Sequence, residues 1–188
     1  DINVENIMFA GSIKAVVGMI DNPESQSQYP YYIDFSEFSN LMIVGNQGCG
    51  KSTFIQTILY SMAMNYHSDD VNFYILDFSS GLLHNFMKLP HCGNVSQLDE
   101  EDSVNRTIRY LISVIEERNQ IFKKAGVGGF WEFKKISKEP MPLLLLVIDN
   151  YFAFGENYES LEGDITTLLR SGFRCGIQVI VSANRMND

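Results

Sequence analysis

Nine residues, Gly45 to Thr53, read GNQGCGKST, and they restrict what the chain around them can become. Gly45, four intervening residues, then Gly50, Lys51 and Ser52 match the P-loop pattern G-x-x-x-x-G-K-[ST] at every position. Gly48 and Gly50 let the backbone curl so that successive N–H groups converge on an anion. Such a loop needs a strand before it and a helix after it, and both are legible. LMIVG (Leu41 to Gly45) is a short apolar run that reads as a buried strand. From Phe54 to Tyr66, one helical face collects Phe54, Ile55, Ile58, Leu59, Met62, Ala63 and Tyr66. A helix starting near Lys51 adds its positive dipole end to the cradle. The expected ligand is therefore ATP with Mg²⁺, held by Gly45, Asn46, Gln47, Gly48, Cys49, Gly50, Lys51, Ser52 and Thr53. In this scheme Lys51 reaches the β- and γ-phosphates and the Ser52 hydroxyl ligates the metal. Cys49 is either a small residue that fits the loop or a thiol whose modification blocks nucleotide binding.

The remaining chain alternates strand and helix patterns. Within residues 1–40, IKAVVGMI (Ile13 to Ile20) and YYIDF (Tyr31 to Phe35) flank the turn-rich DNPESQSQYP and are expected to pair as an antiparallel flap. VNFYILDF (Val71 to Phe78) is a second core strand carrying Asp77 at its end. SSGLLHNF follows as a turn and short helix, and PHCGNVS (Pro90 to Ser96) is irregular or weakly extended. The acids of LDEED (Leu98 to Asp102) suit the start of a long helix. Its apolar face holds Val104, Ile108, Leu111, Ile112, Ile115 and Phe122, and it ends near Gly126. GVGGF reads as a flexible hinge and WEFKKI as a short amphipathic segment. MPLLLLVIDN (Met141 to Asn150) fits a Walker B strand, buried on both faces as parallel strands are and ending on Asp149. A helix bearing Tyr158, Leu161, Ile165, Leu168 and Leu169, stopped by Gly172, leads to IQVIVSANR (Ile177 to Arg185), the fourth core strand. This alternation predicts an α/β fold, a RecA-like P-loop NTPase core whose parallel sheet is flanked by helices, plus the N-terminal antiparallel strand pair. The expectation is one domain over residues 1–188, with the nucleotide-binding core at 41–188 and its C-terminal end truncated.

Composition narrows the partners. With 45% hydrophobic and 20% charged residues, 188 residues can enclose a sizeable core. The longest strongly apolar run, Pro142 to Ile148, falls far short of the ~18 residues of a membrane span, and no signal peptide opens the chain. Three scattered cysteines argue against a disulfide framework and for a reducing compartment. A net charge of −9 disfavours nucleic acid, whose binding draws on Lys and Arg. The basic clusters Lys123–Lys124 and Lys134–Lys135–Lys138 read as solvated helix faces. His67, His84 and His91 lack metal-ligand spacing, and His91–Cys92 reads as structural.

In open parallel sheets, ligands sit beyond the carboxyl ends of the strands. Here those ends carry the P-loop, Asp77, Asp149–Asn150 and Ser182–Asn184–Arg185. Asp149 is expected to hold Mg²⁺ through its water shell together with Ser52. Asn184 either senses the γ-phosphate or positions water, or it is a polar strand exit without a role. Asn150 occupies the place where motor NTPases of this layout usually carry a glutamate base. An amide cannot take that proton, and loss of a positioned base costs about 10²–10⁴-fold in rate. The pattern thus supports nucleotide binding better than fast hydrolysis. Asp77 admits two readings, a substitute base or a turn-capping carboxylate.

Four stretches together carry a family resemblance: GMIDNPESQSQYPYYIDFSEFSNLMIVGNQGCGKST, FYILDFSSGLLHNFMKLPHCGNVS, LLLLVIDNYFAF and RCGIQVIVSANR. Covering most of residues 11–188, they resemble FtsK/SpoIIIE-type ATPase domains of the type VII secretion branch. The ordered combination of LDF, LPH and ANR is more specific than the P-loop alone. The resemblance implies several such domains strung behind a membrane anchor, on the cytoplasmic face of the membrane. It implies that they drive or regulate export of small helical WXG100-type proteins, alongside other secretion-system membrane components and in a possible oligomer. It also implies that the later domains have degenerate nucleotide sites, which agrees with Asn150. Two departures stand out: glutamate is absent after Asp149, and the last strand and helix of the core are not in this sequence. Arg170, Arg174 and Arg185 are candidates for contacts to a neighbouring domain. Three readings follow: an ATP-binding, weakly hydrolysing domain of a secretion motor; a regulatory, substrate-docking module; and an FtsK-like DNA translocase, which the acidic charge and the ANR ending disfavour.

Overall fold

A computed structural model describes residues 12–184. Its centre is a parallel sheet of five strands in the order β3–β7–β6–β4–β5, comprising β3 (Leu41–Gly45), β4 (Val71–Asp77), β5 (Cys92–Ser96), β6 (Leu143–Asp149) and β7 (Ile177–Asn184). Helices α1 (Lys51–Asn65), α2 (Glu101–Ala125), α3 (Phe130–Ile136), α4 (Tyr151–Asn157) and α5 (Glu162–Ser171) supply the crossovers and cover. The run LLLLVID takes the middle of the sheet because every one of its residues is buried, as a parallel strand with helices on both faces requires.

The fold departs from the sequence pattern in four places. First, the core has a further strand among the described residues. β5 pairs with β4 from Phe73↔Cys92 to Leu76↔Ser96, although its sequence, CGNVS, carries no apolar alternation. Gly93 is required there, since a Cβ would lie 2.5 Å from the Tyr74 ring. Asn94 Nδ2 ties the strand to α2: its two N–H groups are shared among the hydroxyls of Ser96 (2.8 Å), Ser103 (3.0 Å) and Thr107 (2.8 Å).

Second, the P-loop strand is not buried. β3 lies at the end of the sheet and pairs with β7, leaving Met42 61% and Val44 56% exposed. Third, the segment 126–130 is pinned rather than a free hinge. Gly126 closes α2 in the left-handed region, Arg174 Nε donates to the Gly128 carbonyl (2.6 Å), and a Cβ on Gly129 would meet the Arg174 carbonyl at 2.8 Å. Fourth, the helix expected after β6 is split. α4 ends at Asn157, Glu159–Leu161 form a 3-10 turn, and α5 begins at Glu162. The stop expected at Gly172 is observed: α5 ends at Ser171 and Gly172 is its C-cap. It is right-handed helical and allows close packing against the Leu168 and Ile177 carbonyls, while Gly176 makes the left-handed exit a turn later.

The N-terminal pair is the expected antiparallel hairpin, of β1 (Lys14–Asn22) and β2 (Ser27–Asp34), and it is docked on the core. The Lys14 amide donates to the Tyr66 hydroxyl (2.8 Å) and the Val16 amide to Ser61 Oγ (2.7 Å), joining the hairpin to α1. The buried Gln178 of β7 donates from Nε2 to the carbonyls of Phe35 (2.6 Å) and Phe38 (2.8 Å), and Ala15 and Phe35 are fully buried. Among the described residues, no helix is long and apolar enough to cross a membrane.

Candidate functional site

The loop from β3 to α1 has the backbone its sequence demands. Gly48 (φ +76°) and Gly50 (φ +91°) occupy the left-handed region, where a side chain is strained. Gly45 is needed for a different reason: the Cys49 thiol folds over it, and a Cβ there would lie 2.5 Å from Sγ. The amides of Gly48, Gly50, Lys51 and Ser52 have no protein acceptor among the described residues. They stand at the N-terminus of a 15-residue helix, where unpaired N–H groups and the helix dipole favour an anion.

Lys51 Nζ lies on this loop, donating to the carbonyls of Gly45 and Asn46 and to Asn184 Oδ1, each at 3.0 Å. Ser52 Oγ donates to Asp149 Oδ2 at 2.6 Å. The other carboxylate oxygen of Asp149 accepts from Ser182 Oγ, which in turn accepts from the Asn150 amide at 2.9 Å. The structure thus brings Lys51, Ser52, Asp149 and Asn184, from three separate stretches of the chain, into one place. This donor set fits the ligand expected from the sequence. The amides and Lys51 suit a polyphosphate, and the adjacent hydroxyl and carboxylate of Ser52 and Asp149 are oxygen ligands suited to Mg²⁺. When bound, Mg²⁺ would neutralise phosphate charge there.

A cavity of about 570 Å³ opens in front of the loop. Gln47, Gly48 and Thr53 form one wall and Phe78, Ser79, Ser80 and Leu82 the other, with Asn150, Ser182 and Asn184 between them. Lys51 is the one charged residue lining it among the described residues.

Two positions change meaning in three dimensions. Asp77 is not a free base: it is 4% exposed and does not line this cavity. One oxygen accepts from the amides of Ser79 (3.4 Å) and Gly81 (3.2 Å), the other from Leu83 (2.9 Å), so it caps the loop that follows β4. Asn150 sits at φ +78° and is the N-cap of α4, its Oδ1 accepting from Ala153 (3.4 Å) and its Nδ2 donating to the Phe78 carbonyl (3.2 Å). Asparagine tolerates this left-handed cap far better than glutamate does, so the residue has a structural as well as a chemical consequence.

Of the candidate arginines, Arg174 precedes β7 and lies with Gly128 and Trp131 at the end of the sheet away from the P-loop. Arg170 is in the last turn of α5, and Arg185 lies outside the described residues. Sequence reasoning did not find Ser79, Ser80 or Leu82. The signal was present in Asp77 followed by two serines and Gly81, a loop-capping pattern beside a strand end.

The profile of the FtsK/SpoIIIE family matches residues 15–187, nearly the whole chain. The chain belongs to the FtsK/SpoIIIE family. This FtsK/SpoIIIE domain is 31% identical over 185 residues to the ESX secretion system protein EccC of Thermomonospora curvata, a match covering 95% of the chain and 14% of that relative. The chain therefore spans a small part of the relatives it matches. Among solved structures it is similar to T. curvata EccC (ATPases 2 and 3) in complex with a signal sequence peptide, with a TM-score of 0.86 and 31% identity over 96% of this chain and 34% of that one. It is likewise similar to EssC (ATPases 2 and 3) of Geobacillus thermodenitrificans, with a TM-score of 0.83 and 30% identity over 93% of this chain and 33% of that one.

Proposed function

We propose that this FtsK/SpoIIIE domain binds ATP with Mg²⁺ and hydrolyses it weakly, as one of the later ATPase domains of a membrane-associated type VII secretion motor. One observation carries the reading. Lys51, Ser52 and Asp149 are assembled at the P-loop, while no free carboxylate lines the cavity among the described residues. Both oxygens of Asp149 are engaged, Asp77 caps a loop, and Asn150 caps a helix. Among the described residues, binding groups line the cavity and a carboxylate base for water does not. In the longer protein, the domain's partners would be neighbouring ATPase domains, exported WXG100-type proteins and other membrane components, in an oligomer on the cytoplasmic face of the membrane.

Isothermal titration with ATP and Mg²⁺ tests the first half. Saturation below millimolar concentration, lost in Lys51→Ala, is the expected result, and no binding in that range removes the reading. Turnover tests the second half: a rate about 10²–10⁴-fold below that of a glutamate-bearing motor is expected from the missing base.

The same cavity, without a carboxylate in its lining among the described residues, supports a second reading, a regulatory domain that docks export signals with the nucleotide as a fixed element. The similar EccC structure that holds a signal sequence peptide gives this reading its motive. Saturable binding of such a peptide with undetectable turnover would favour it. Clear ATPase activity without peptide binding would remove it.

A further inference from the structure

The loop of residues 78–83 forms the cavity wall opposite the P-loop, and it is fixed from three directions. From β4, Asp77 accepts its three amide hydrogen bonds, with the left-handed Gly81 (φ +71°) making the bend. From the end of β6, the Asp149 carbonyl accepts from the Phe78 amide (3.1 Å) and Asn150 Nδ2 donates to the Phe78 carbonyl. From α1, Gln56 Nε2 donates to the Leu82 carbonyl (3.0 Å). The Phe78 ring is buried and stacked on Tyr158 (5.5 Å between centroids). These are the same elements that position the P-loop helix and Asp149. A surface connection is ordinarily among the most mobile parts of a fold, so anchoring of this density serves whatever the loop presents.

It presents Ser79 and Ser80. Both are exposed, both line the cavity, and neither hydroxyl has a protein partner among the described residues. The negative charge that holds them, on Asp77, is buried and consumed by backbone N–H groups, so the wall facing the cavity is neutral and rich in donors. That is the chemistry a wall needs if it is to face an anion already gripped from the other side by amides and Lys51.

We propose that Ser79 and Ser80 are the second half of the phosphate site. Their hydroxyls donate to the terminal phosphate of a bound nucleoside triphosphate and so select triphosphate over diphosphate. Asp77 is the positioning residue that holds them in place. The proposal rests on the nucleotide-binding reading above and adds the residues that sense the third phosphate.

The test is titration of the 188-residue chain with ATP and with ADP, both with Mg²⁺, for the wild type and for the Ser79→Ala/Ser80→Ala double variant. Both serines are exposed, so the double variant should keep the wild-type melting temperature. Hydrogen bonds to a charged group are strong enough that ATP should bind about tenfold or more weakly, with ADP within about twofold of wild type. Asp77→Asn places an amide donor against three N–H groups, and if it folds it should show the same loss of ATP-over-ADP preference. A double variant that weakens both nucleotides equally, or neither, overturns the proposal while leaving nucleotide binding intact. If the wild type binds neither nucleotide, the broader reading falls first and takes this one with it.

Discussion

Residue by residue, the site is a set of polar groups whose roles are decided by backbone conformation as much as by side-chain chemistry. Asn150 shows this most clearly. From the chain alone it is a missing base; in the fold it is also a left-handed helix cap tied to the wall of the cavity. Reinstating the carboxylate should therefore not yield a fast enzyme. In Asn150→Glu, a longer side chain at φ +78° costs about 1–2 kcal/mol in strain, and loss of the cap adds about 1 kcal/mol. The melting temperature should fall by about 4–12 °C. Asn150→Asp keeps the tolerance of positive φ and the capping acceptor, and should lose less. Thermal unfolding of the two variants checks this, and equal melting temperatures would refute the backbone account. The P-loop, Ser52 and Asp149 were legible because each belongs to a short pattern with a fixed structural context. Asp77 was legible only as two alternatives, a base or the turn cap it proves to be, and the two serines after it only as part of that turn. Whether a carboxylate at a strand end faces the cavity or turns onto its own loop depends on three amides up to six residues away, which no spacing rule reports.

At the level of elements, apolar patterning located every strand whose burial it controls and missed the one it does not. β6 and β7 announce themselves by continuous apolar runs. β5 is a strand because a glycine admits the Tyr74 ring and an asparagine reaches three hydroxyls, two of them on α2. Those partners lie up to thirteen positions away in the chain, beyond any local periodicity. The network predicts that Asn94→Ala costs about 1–3 kcal/mol, since it strips hydrogen bonds from partly buried hydroxyls. Hydrogen exchange should show the loss concentrated in β5 and the first turns of α2, with urea unfolding giving the total. Unchanged protection in β5 would mean that the strand is held by its backbone pairing alone.

For the molecule as a whole, the hairpin is the part whose integration the sequence understated. A hairpin without contacts to the core would melt separately. Docked on α1 through Ser61 and Tyr66 and on β7 through Gln178, β1 and β2 should unfold with the core. The Lys14–Asp34 pair at 3.0 Å, with side chains only 16% and 11% exposed, closes the open end of the hairpin against that core. Burial alone would push the Asp34 carboxyl upward, but hydrogen bonds from Ser36 and from Lys14, with the Lys14 charge, outweigh it and hold the carboxyl below its ordinary 3.8. The sign follows from the ionised form being the one the fold favours. The contribution is fully present above pH 3.8 and disappears as pH falls through the lower folded value. Asp34→Asn should remove it, lowering stability at neutral pH by about 1.5–3 kcal/mol, the range for hydrogen bonds to charged groups. The difference between variant and wild type should then shrink below pH 3.8, where the native carboxyl is itself being protonated. Because the hairpin and core form one packed body, fluorescence of the single tryptophan, Trp131, and far-ultraviolet circular dichroism should give coincident transitions in both proteins. Two separated transitions, or a variant whose deficit is the same at pH 3 and pH 7, would show that the hairpin is an independent appendage and that this ion pair does not couple it to the nucleotide-binding core.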